Sequence, residues 1–439
     1  MTRKMKDSGI EWIGEIPEDW KTTKLLFALD RPITDGPHET PSYVDEGVPF
    51  ITINNIDDAG NIDKGNANKI SHEDAATYNK KAKMKVGDLL FSKSATIGRI
   101  AEVDKLDFMV WSPFAILSPN TKVLDKHFLK LLLSLPGHVD HLIGLGSVNT
   151  QVNIGMRDME KSIIPLPNIE YQIKISKFLI KKTKKLDCIK SLLIKEIQNL
   201  EDYKKSVITE AVTKGLDKNV EMKDSGIECI GDIPKHWSKI KLRYLSNIVR
   251  GGSPRPINEY MSNSDEDLNW IKIGDTQKGS KYINKTKNKL KITGLSSTTF
   301  VKKGELILSN SMSYGEAYIL NLDGCIHDGW LAFKDIKNID KEYLYFSLLS
   351  SNTKIQFDKL SDGGVVQNLN IDKVKTVYVF LSDKKEQVEI ANYLNKTIKS
   401  IDKAIEGKQK QLEILEEYKK SLIYEYVTGK KEVNDGEET

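Results

Sequence analysis

The sequence predicts an α+β chain arranged as a pseudo-twofold tandem repeat. Two mixed α/β globules are each followed by a long helix, and the two helices pair as an antiparallel coiled coil. Three observations predict this. The stretch MKDSGIEWIGEIPEDW at 5–20 returns as MKDSGIECIGDIPKHW at 222–237, with twelve of sixteen positions identical at an offset of 217. That offset far exceeds the ~20–50-residue period of a solenoid, so each copy is long enough to be a folding unit. Each copy also ends in a long proline-free stretch with apolar residues near heptad spacing. Between these lie short apolar runs set among polar loops.

In chain order, residues 1–167 form the first globule, 168–216 the first helix, 217–382 the second globule, 383–430 the second helix and 431–439 a disordered tail. After the first repeated stretch, residues 30–41 hold three prolines and a glycine, which makes a loop. Runs at Val48–Ile53, Asp88–Phe91, Thr96–Val103 and Val110–Leu117 read as short strands, and Phe128–Leu135 is apolar at helical spacing. In the second copy Arg250–Pro256 stands in the place of the proline-rich loop, Trp270–Ile273 answers Phe50–Ile53, and Gly315 answers Gly98. The loop residues differ while the frame matches, as expected of two copies that share a scaffold and read different surfaces. The first helix carries Leu186, Ile189, Leu193, Ile197, Leu200, Tyr203 and Val207. The second carries Ile401, Ala404, Leu412, Leu415, Tyr418 and Leu422, at an offset of 215, with Lys408 also on the seam. A narrow apolar seam flanked by Lys and Glu reads as a coiled coil. The globule between the two helices makes an antiparallel pairing geometrically easy.

Composition excludes several classes. Apolar residues make up 39% and charged residues 29%, an ordinary globular mix. There is no apolar run of about 18 residues to span a membrane. No signal segment opens the chain, and Cys188, Cys229 and Cys325 form no Cys pair, which fits a cytoplasmic protein without a zinc or disulfide framework. His138 and His141 lack a third convergent ligand, so no metal is expected. Gly144–Ser147 and Asp362–Gly364 lack the Gly-Lys-Ser/Thr of a phosphate loop. No amino-methyltransferase motif, dinucleotide fingerprint, Ser/His/Asp set or paired-carboxylate site is present. The chain itself is therefore expected to be non-catalytic and free of cofactors.

The net charge of +4 does not by itself diagnose a polyanion partner. The lysines of residues 171–218 read first as a solvated coiled-coil face. The loops are more informative. Thr34, His38, Thr40, Lys93, Ser94 and Arg99 in the first copy, and Arg250, Ser253, Arg255, Lys272, Ser311 and Tyr314 in the second, lie on corresponding segments. Each alone reads as a turn or a surface residue. As a set they offer the side chains that contact base edges and phosphates.

The repeated DSGIEWIGEIPEDW and DSGIECIGDIPKHW resemble the repeat element of the DNA-specificity subunits of type I restriction-modification systems. Asp35-Gly36-Pro37-His38-Glu39-Thr40-Pro41 is similar to a loop of their target recognition domains, and Gly251-Gly252-Ser253-Pro254 to its second common form. Ile164–Gln172 and Phe380–Gln387 resemble the entry to the family's spacer helices, as do Tyr203-Lys204-Lys205-Ser206 and Tyr418-Lys419-Lys420-Ser421. The resemblance covers nearly the whole chain. Cys229 stands where the first copy has Trp12, and Phe380-Leu381-Ser382 lacks the prolines of Pro165-Leu166-Pro167; both bear on local packing.

The resemblance implies that each globule is a target recognition domain reading one half of a bipartite, asymmetric DNA sequence. The paired helices would set the spacer between the halves. Tyr203, Lys204, Tyr418 and Lys419 would mark docking helices for two methyltransferase (modification) subunits. Those subunits would carry the S-adenosylmethionine site, and restriction subunits, where present, the ATP/Mg chemistry. Two other readings remain: a helical scaffold whose globules bind proteins and never touch DNA, and an enzyme with a diverged active site.

Overall fold

The computed structural model describes residues 3–145, 152–227, 230–277, 279–311, 314–360 and 369–434. Cys229, Gly146-Ser147, Asp362-Gly363-Gly364 and tail residues 435–439 lie outside these. The chain divides into two compact units, Met1–Leu192 with Leu412–Thr439, and Leu193–Gln411. Each unit thus holds one globule, the near half of its own long helix and the far half of the other.

In the first unit the repeated stretch is a hairpin, Met5–Ile10 antiparallel to Gly14–Pro17. Its tight end follows from local chemistry. The Asp7 carboxylate accepts the Gly9 N–H, and Ser8 Oγ accepts from Ile10 N and donates to the Gly14 carbonyl. Gly14 takes φ +69°, which a side chain disfavours. Trp20 is 1% exposed and packs edge-on to Tyr171 at the start of the long helix. Lys21–Lys24 pairs with Ile163–Leu166, so the globule closes where the helix begins. One sheet runs Thr34–Asp35, Phe114–Leu117, Leu89–Ser92, Ile100–Glu102. A second runs Met109–Val110, Val48–Ile51, Lys69–Ile70, Tyr43–Val44. The expected single strand Val110–Leu117 is two strands in different sheets. Pro113, which has no N–H to give a ladder, sits in the turn between them. The expected helix at 128–135 runs Lys126–Leu133, capped by Asp125 through Phe128 N.

The first long helix spans Ile169–Lys214. Gln172, fully buried, pins it to the globule: its amide donates to the Val123 and Pro167 carbonyls and accepts Asp125 N. Ile175, Phe178 and Leu179 enter the same core as Leu422, Ile423, Tyr426 and Val427 from the end of the second long helix. Beyond that end Gly429, at φ +73°, lies against Pro17 and Trp20, and Val433 is 4% exposed. The repeated hairpin with its tryptophan is therefore a socket for the end of the other copy's helix.

The second unit follows the same plan. A hairpin pairs Met222–Asp224 with Asp232–Pro234, and Ser238–Lys241 pairs with Tyr378–Leu381. Two five-stranded sheets follow. One runs Asn247–Arg250, Trp330–Lys334, Leu306–Ser309, Ala317–Leu320, Tyr282–Ile283. The other runs Met261–Ser262, Asn288–Leu290, Leu268–Ile271, Gly324–Ile326, Thr299–Val301. Gln387 repeats the role of Gln172, accepting Asp340 N and donating to the Ser382 carbonyl. Gly215, at φ +74°, lies against Trp237 as Gly429 lies against Trp20. Val207, Ile208, Ala211 and Val212 from the first helix share this core with Ile390, Ala391 and Leu394 from the second, which spans Lys384–Val427.

Inside each unit the helices run antiparallel. In the first, Lys190 pairs with Glu416 at 2.5 Å and Asp187 with Lys419 at 2.6 Å. In the second, Glu196 pairs with Lys408 and Lys204 with Asp402, both at 2.6 Å. As residue numbers rise on one helix they fall on the other. The pairs Lys204–Asp402 and Lys419–Asp187 are one contact made twice, since both residues recur 215 positions on. The inward positions of the helices are Leu186 with Leu412, Leu415 and Lys419 in the first unit, and Leu193, Ile197, Leu200 and Lys204 with Ile401, Ile405 and Lys408 in the second. Ile189, Ala404, Tyr203 and Tyr418, expected on the seam, lie outside it. Ile189 is 46% exposed, and each of the four sits one position before the alternating three- and four-residue steps that face the partner.

Candidate nucleic-acid interface

Each globule carries the same loop construction where its two sheets meet. In the first unit the chain leaves strand Thr34–Asp35 at Gly36. A Cβ there would lie 2.0 Å from the Val110 carbonyl oxygen, so only glycine lets the loop pass under the 111–113 turn. Ser112 N donates to the Pro37 carbonyl and Lys93 N to the Pro113 carbonyl, tying loop, turn and strand end together. In the second unit a Cβ at Gly251 would lie 2.1 Å from the His327 carbonyl oxygen, and one at Gly252 would lie 2.5 Å from that of Ser297. Asn310 N donates to the Gly329 carbonyl as Lys93 N does to Pro113. Gly36 and Gly251 therefore hold one place in the fold, and the residues after them, His38 with Ser253 and Thr40 with Arg255, are positional equivalents.

The structure sorts the sequence candidates. His38 is 73% exposed at its side chain, with Nε2 3.1 Å from Asp35, and Thr40 is exposed. Thr34 donates to the Ala82 carbonyl, and Ser94 is half-buried in a backbone bridge with Asn153. Lys93, expected at the surface, is 6% exposed, with Nζ 3.4 Å from the Asp35 carboxylate. Arg99 turns inward and donates to the Ile53 and Ile56 carbonyls at 2.7 and 2.8 Å, closing the short 3-10 helix Ile53–Asn55. Lys93 braces the loop at Asp35 and Arg99 braces the 53–56 turn, so the open side chains of the first loop are His38, Glu39 and Thr40.

The second loop is more basic. Arg255 is exposed, and Arg250 donates through Nε to the Asp328 carbonyl at 3.0 Å. Ser253 donates to the Asp328 carboxylate at 2.9 Å, and Asn310 to the Asp328 carbonyl. The Ser253 bond helps hold the Asp328 carboxyl below its usual range, against the opposing effect of burial. The His327 ring lies between the N–H groups of Gly329 (2.7 Å to Nδ1) and Ile273 (3.1 Å to Nε2), and accepts through its unprotonated nitrogen. Burial lowers the His327 pKa, against the pull of Asp328. Lys272 is half-buried, and its N–H donates to Asp275. Ser311 is half-buried, and Tyr314 OH donates to the Asp358 carboxylate.

On the helices, Tyr203 and Tyr418 are 55% and 54% exposed. The adjacent Lys204 and Lys419 turn into the seam ion pairs described above. Each Tyr-Lys-Lys-Ser motif thus presents its tyrosine and engages its first lysine. Ile189, Leu192, Ile194 and Ile414 are also exposed on these helices.

Sequence reasoning missed Lys285, Lys287, Lys289 and Lys291, which run along strand Asn288–Leu290 and its lead-in. The signal was present: a lysine at every second position around a buried Leu290. Among the described residues no cluster of His, Cys, Asp or Glu is arranged to hold a metal ion, and no helix is long and apolar enough to cross a membrane.

Comparison with known proteins agrees with this arrangement. Residues 29–199 and 234–414 match the family model of the type I restriction modification DNA specificity domain. The chain is 28% identical over 434 residues to the putative type I restriction enzyme MjaX specificity subunit of Methanocaldococcus jannaschii, covering 95% of each. Its fold is similar, at a TM-score of 0.72 and 16% identity, to a chain solved in work on complex assembly and conformational transition of the type I R-M system, covering 94% of this chain and 99% of that one. It is also similar, at a TM-score of 0.50 and 15% identity, to the HsdS subunit of Thermoanaerobacter tengcongensis, covering 94% and 98%.

Proposed function

The chain belongs to the type I restriction-modification DNA specificity family, and from that premise we propose that it reads a bipartite, asymmetric duplex sequence, one half-site per globule. It is the specificity component, and the family's enzymatic work falls to partner subunits. The observation that carries the two-reader assignment is the duplicated loop: one backbone construction around Gly36 and Gly251, furnished with different side chains. His38 in one copy corresponds to Ser253 in the other, Thr40 to Arg255 and buried Lys93 to Asn310. Two readers of one shape and unlike chemistry fit two unlike half-sites. The helix pair sets the length of unread DNA between them, since half-site spacing follows from the distance between readers.

Two copies of a methyltransferase subunit dock on the helices. Tyr203 and Tyr418, exposed at positions 215 apart, give that partner two equivalent footholds. The partner supplies S-adenosylmethionine and the flipping of the target adenine. A restriction subunit, where the host has one, adds the ATP-dependent steps.

The test uses the chain assembled with its modification subunit and duplexes carrying either half-site alone. Replacing Arg255 with Ala weakens selection of one half-site, and replacing His38 and Thr40 weakens selection of the other. Equal damage to both half-sites overturns the two-reader assignment. Binding to duplex DNA with no dependence on salt favours the protein-binding scaffold instead.

A further inference from the structure

We propose that Lys285, Lys287, Lys289 and Lys291 form a phosphate-contacting row that gives the second globule an electrostatic grip on the DNA backbone that the first lacks. The proposal rests on the DNA-reading assignment above.

The row is fixed by the fold. Strand Asn288–Leu290 pairs with Met261–Ser262 on one side and Leu268–Trp270 on the other. Leu290 is fully buried against Trp270 and Cys325. Alternation then sets Lys289 to the opposite face of the strand, while Lys287 lies in the bend just before it and Lys291 just past its end; alternate residues of a strand are about 6.6 Å apart. Lys285, Lys287 and Lys291 are exposed, and Lys289 is half-buried.

None of the four is in an ion pair among the described residues. Lys289 Nζ reaches the Asp265 carbonyl at 3.4 Å and Lys291 Nζ the Glu259 carbonyl at 2.7 Å. Backbone carbonyls orient these two ammonium groups without a carboxylate in direct contact among the described residues.

The row is continuous with the reading loop. One Asp275 carboxylate accepts both Lys272 N and Lys287 N, at 2.8 and 3.0 Å. The neighbouring Ile273 N–H meets His327, and the next residue, Asp328, holds Ser253. Hydrogen bonds at Asp328, His327 and Asp275, joined through adjacent residues, therefore tie the loop that carries Arg255 to the backbone of Lys287, just before the strand. The row follows the reader onto the same ligand.

The first globule supplies the internal control. Its equivalent strand, Lys69–Ile70, pairs in the same way with Tyr43–Val44 and Val48–Pro49. The four positions there are Gly65, Ala67, Lys69 and Ser71. Ala67 is buried, and Ser71 caps the next helix through Asp74 N. Lys69 reaches the Asp45 carbonyl as Lys289 reaches that of Asp265, so that one lysine belongs to the shared scaffold, and nothing in the scaffold requires the lysines at 285, 287 and 291. A solvated strand face explains one or two of them, whereas four unpaired ammonium groups beside a reading loop fit a polyanion.

The experiment measures duplex binding by the assembled complex across salt, with wild type and the quadruple variant K285Q/K287Q/K289Q/K291Q. Each phosphate contact contributes about 0.9 to the slope of log Kobs against log salt, so the variant's slope is shallower by about 3.6. Between 50 and 200 mM salt the wild type then loses about 150-fold more affinity than the variant. Selection between correct and altered half-sites is unchanged, because backbone contacts carry no base information. A matching Lys→Arg quadruple variant keeps the wild-type slope, which separates loss of charge from loss of folding. An unchanged slope in the glutamine variant, in a complex that still selects its sequence, overturns the row and leaves the two-reader assignment standing. Failure of the wild-type complex to bind duplex DNA overturns both.

Discussion

Gly36 and Gly251 allow the loop assignment to be tested without touching a side chain that meets DNA. At Gly36 a methyl carbon would sit 2.0 Å from the Val110 carbonyl oxygen and 2.8 Å from the Trp111 carbonyl carbon. Real Cβ contacts stay beyond 3.0 Å, so Gly36→Ala forces a displacement of about 1 Å between loop and turn. Both sides of the clash are backbone, so no rotamer change relieves it. Overpacking of this kind costs about 1–3 kcal/mol, which lowers the midpoint of thermal unfolding by several degrees for a unit of this size. The same displacement moves His38 and Thr40 off their contacts. A lost base-edge contact removes about 1–3 kcal/mol of discrimination, or roughly 5- to 150-fold. Gly251→Ala, with its clash at 2.1 Å on the His327 carbonyl, acts likewise on the other reader. The assay is competition binding by the assembled complex among duplexes altered in one half-site at a time. Each alanine is expected to relax selection at its own half-site only. A Gly36→Ala complex that unfolds earlier yet selects both half-sites as before would refute the placement of this loop at the DNA.

Further outcomes follow from the cores and the seam. His138 is fully buried with neither ring nitrogen partnered among the described residues, and burial, with His141 adding to it, holds its pKa down at about 3, far below that of a free imidazole at about 6.5. The unfolded chain binds that proton first, so the first unit loses about 1.4 kcal/mol per pH unit as acidity rises from pH 6.5 toward 3. His138→Leu flattens this limb in urea titrations, at no loss of stability at pH 7. Lys204 with Asp402 is a partly exposed pair, so Lys204→Ala costs about 0.5 kcal/mol, and exchanging the two residues recovers it in a double-mutant cycle. Lys93→Met leaves the largely buried Asp35 carboxylate with only the exposed His38 beside it and destabilises the first unit by about 1–3 kcal/mol, read by thermal unfolding. Inserting seven residues after Leu193 and seven before Leu412 keeps the heptad phase and lengthens the pair by about 10 Å. Mapping of modified bases is then expected to show the same half-sites about three base pairs farther apart.

The scaffold was legible because its signals are repeated or periodic. The twin hairpins announce themselves by identity, and their Asp-Ser-Gly turns by local chemistry. The helices announce themselves by length without proline. The seam's phase was harder to read, because Ile189, Tyr203 and Tyr418 are as apolar as their neighbours. Apolarity alone does not separate a residue on the seam from one a step away. The lysines that complete the seam mark its phase better: Lys204, Lys408 and Lys419 each meet an acid on the other helix. The strand expected across Val110–Leu117 failed at Pro113, where the missing N–H argues for a break that an apolar run conceals.

The two glycine loops were legible as loops and illegible in their side-chain contacts, and the reason is the range of the interactions that decide them. Lys93 looks like a surface lysine until Asp35, 58 residues earlier, is brought to 3.4 Å. Arg99 looks like a phosphate contact until its guanidinium is spent on two carbonyls more than forty residues away. Whether a cation is a brace or a reader depends on acceptors that arrive only with the tertiary fold. Alternation is different. Lys289 is set opposite Leu290 by the strand itself, and Lys287 and Lys291 flank it at the strand's two ends. Local periodicity predicts which charges stay free more reliably than residue type does, and so the lysine row is a firmer expectation for the DNA backbone than the two cations that residue type first suggested.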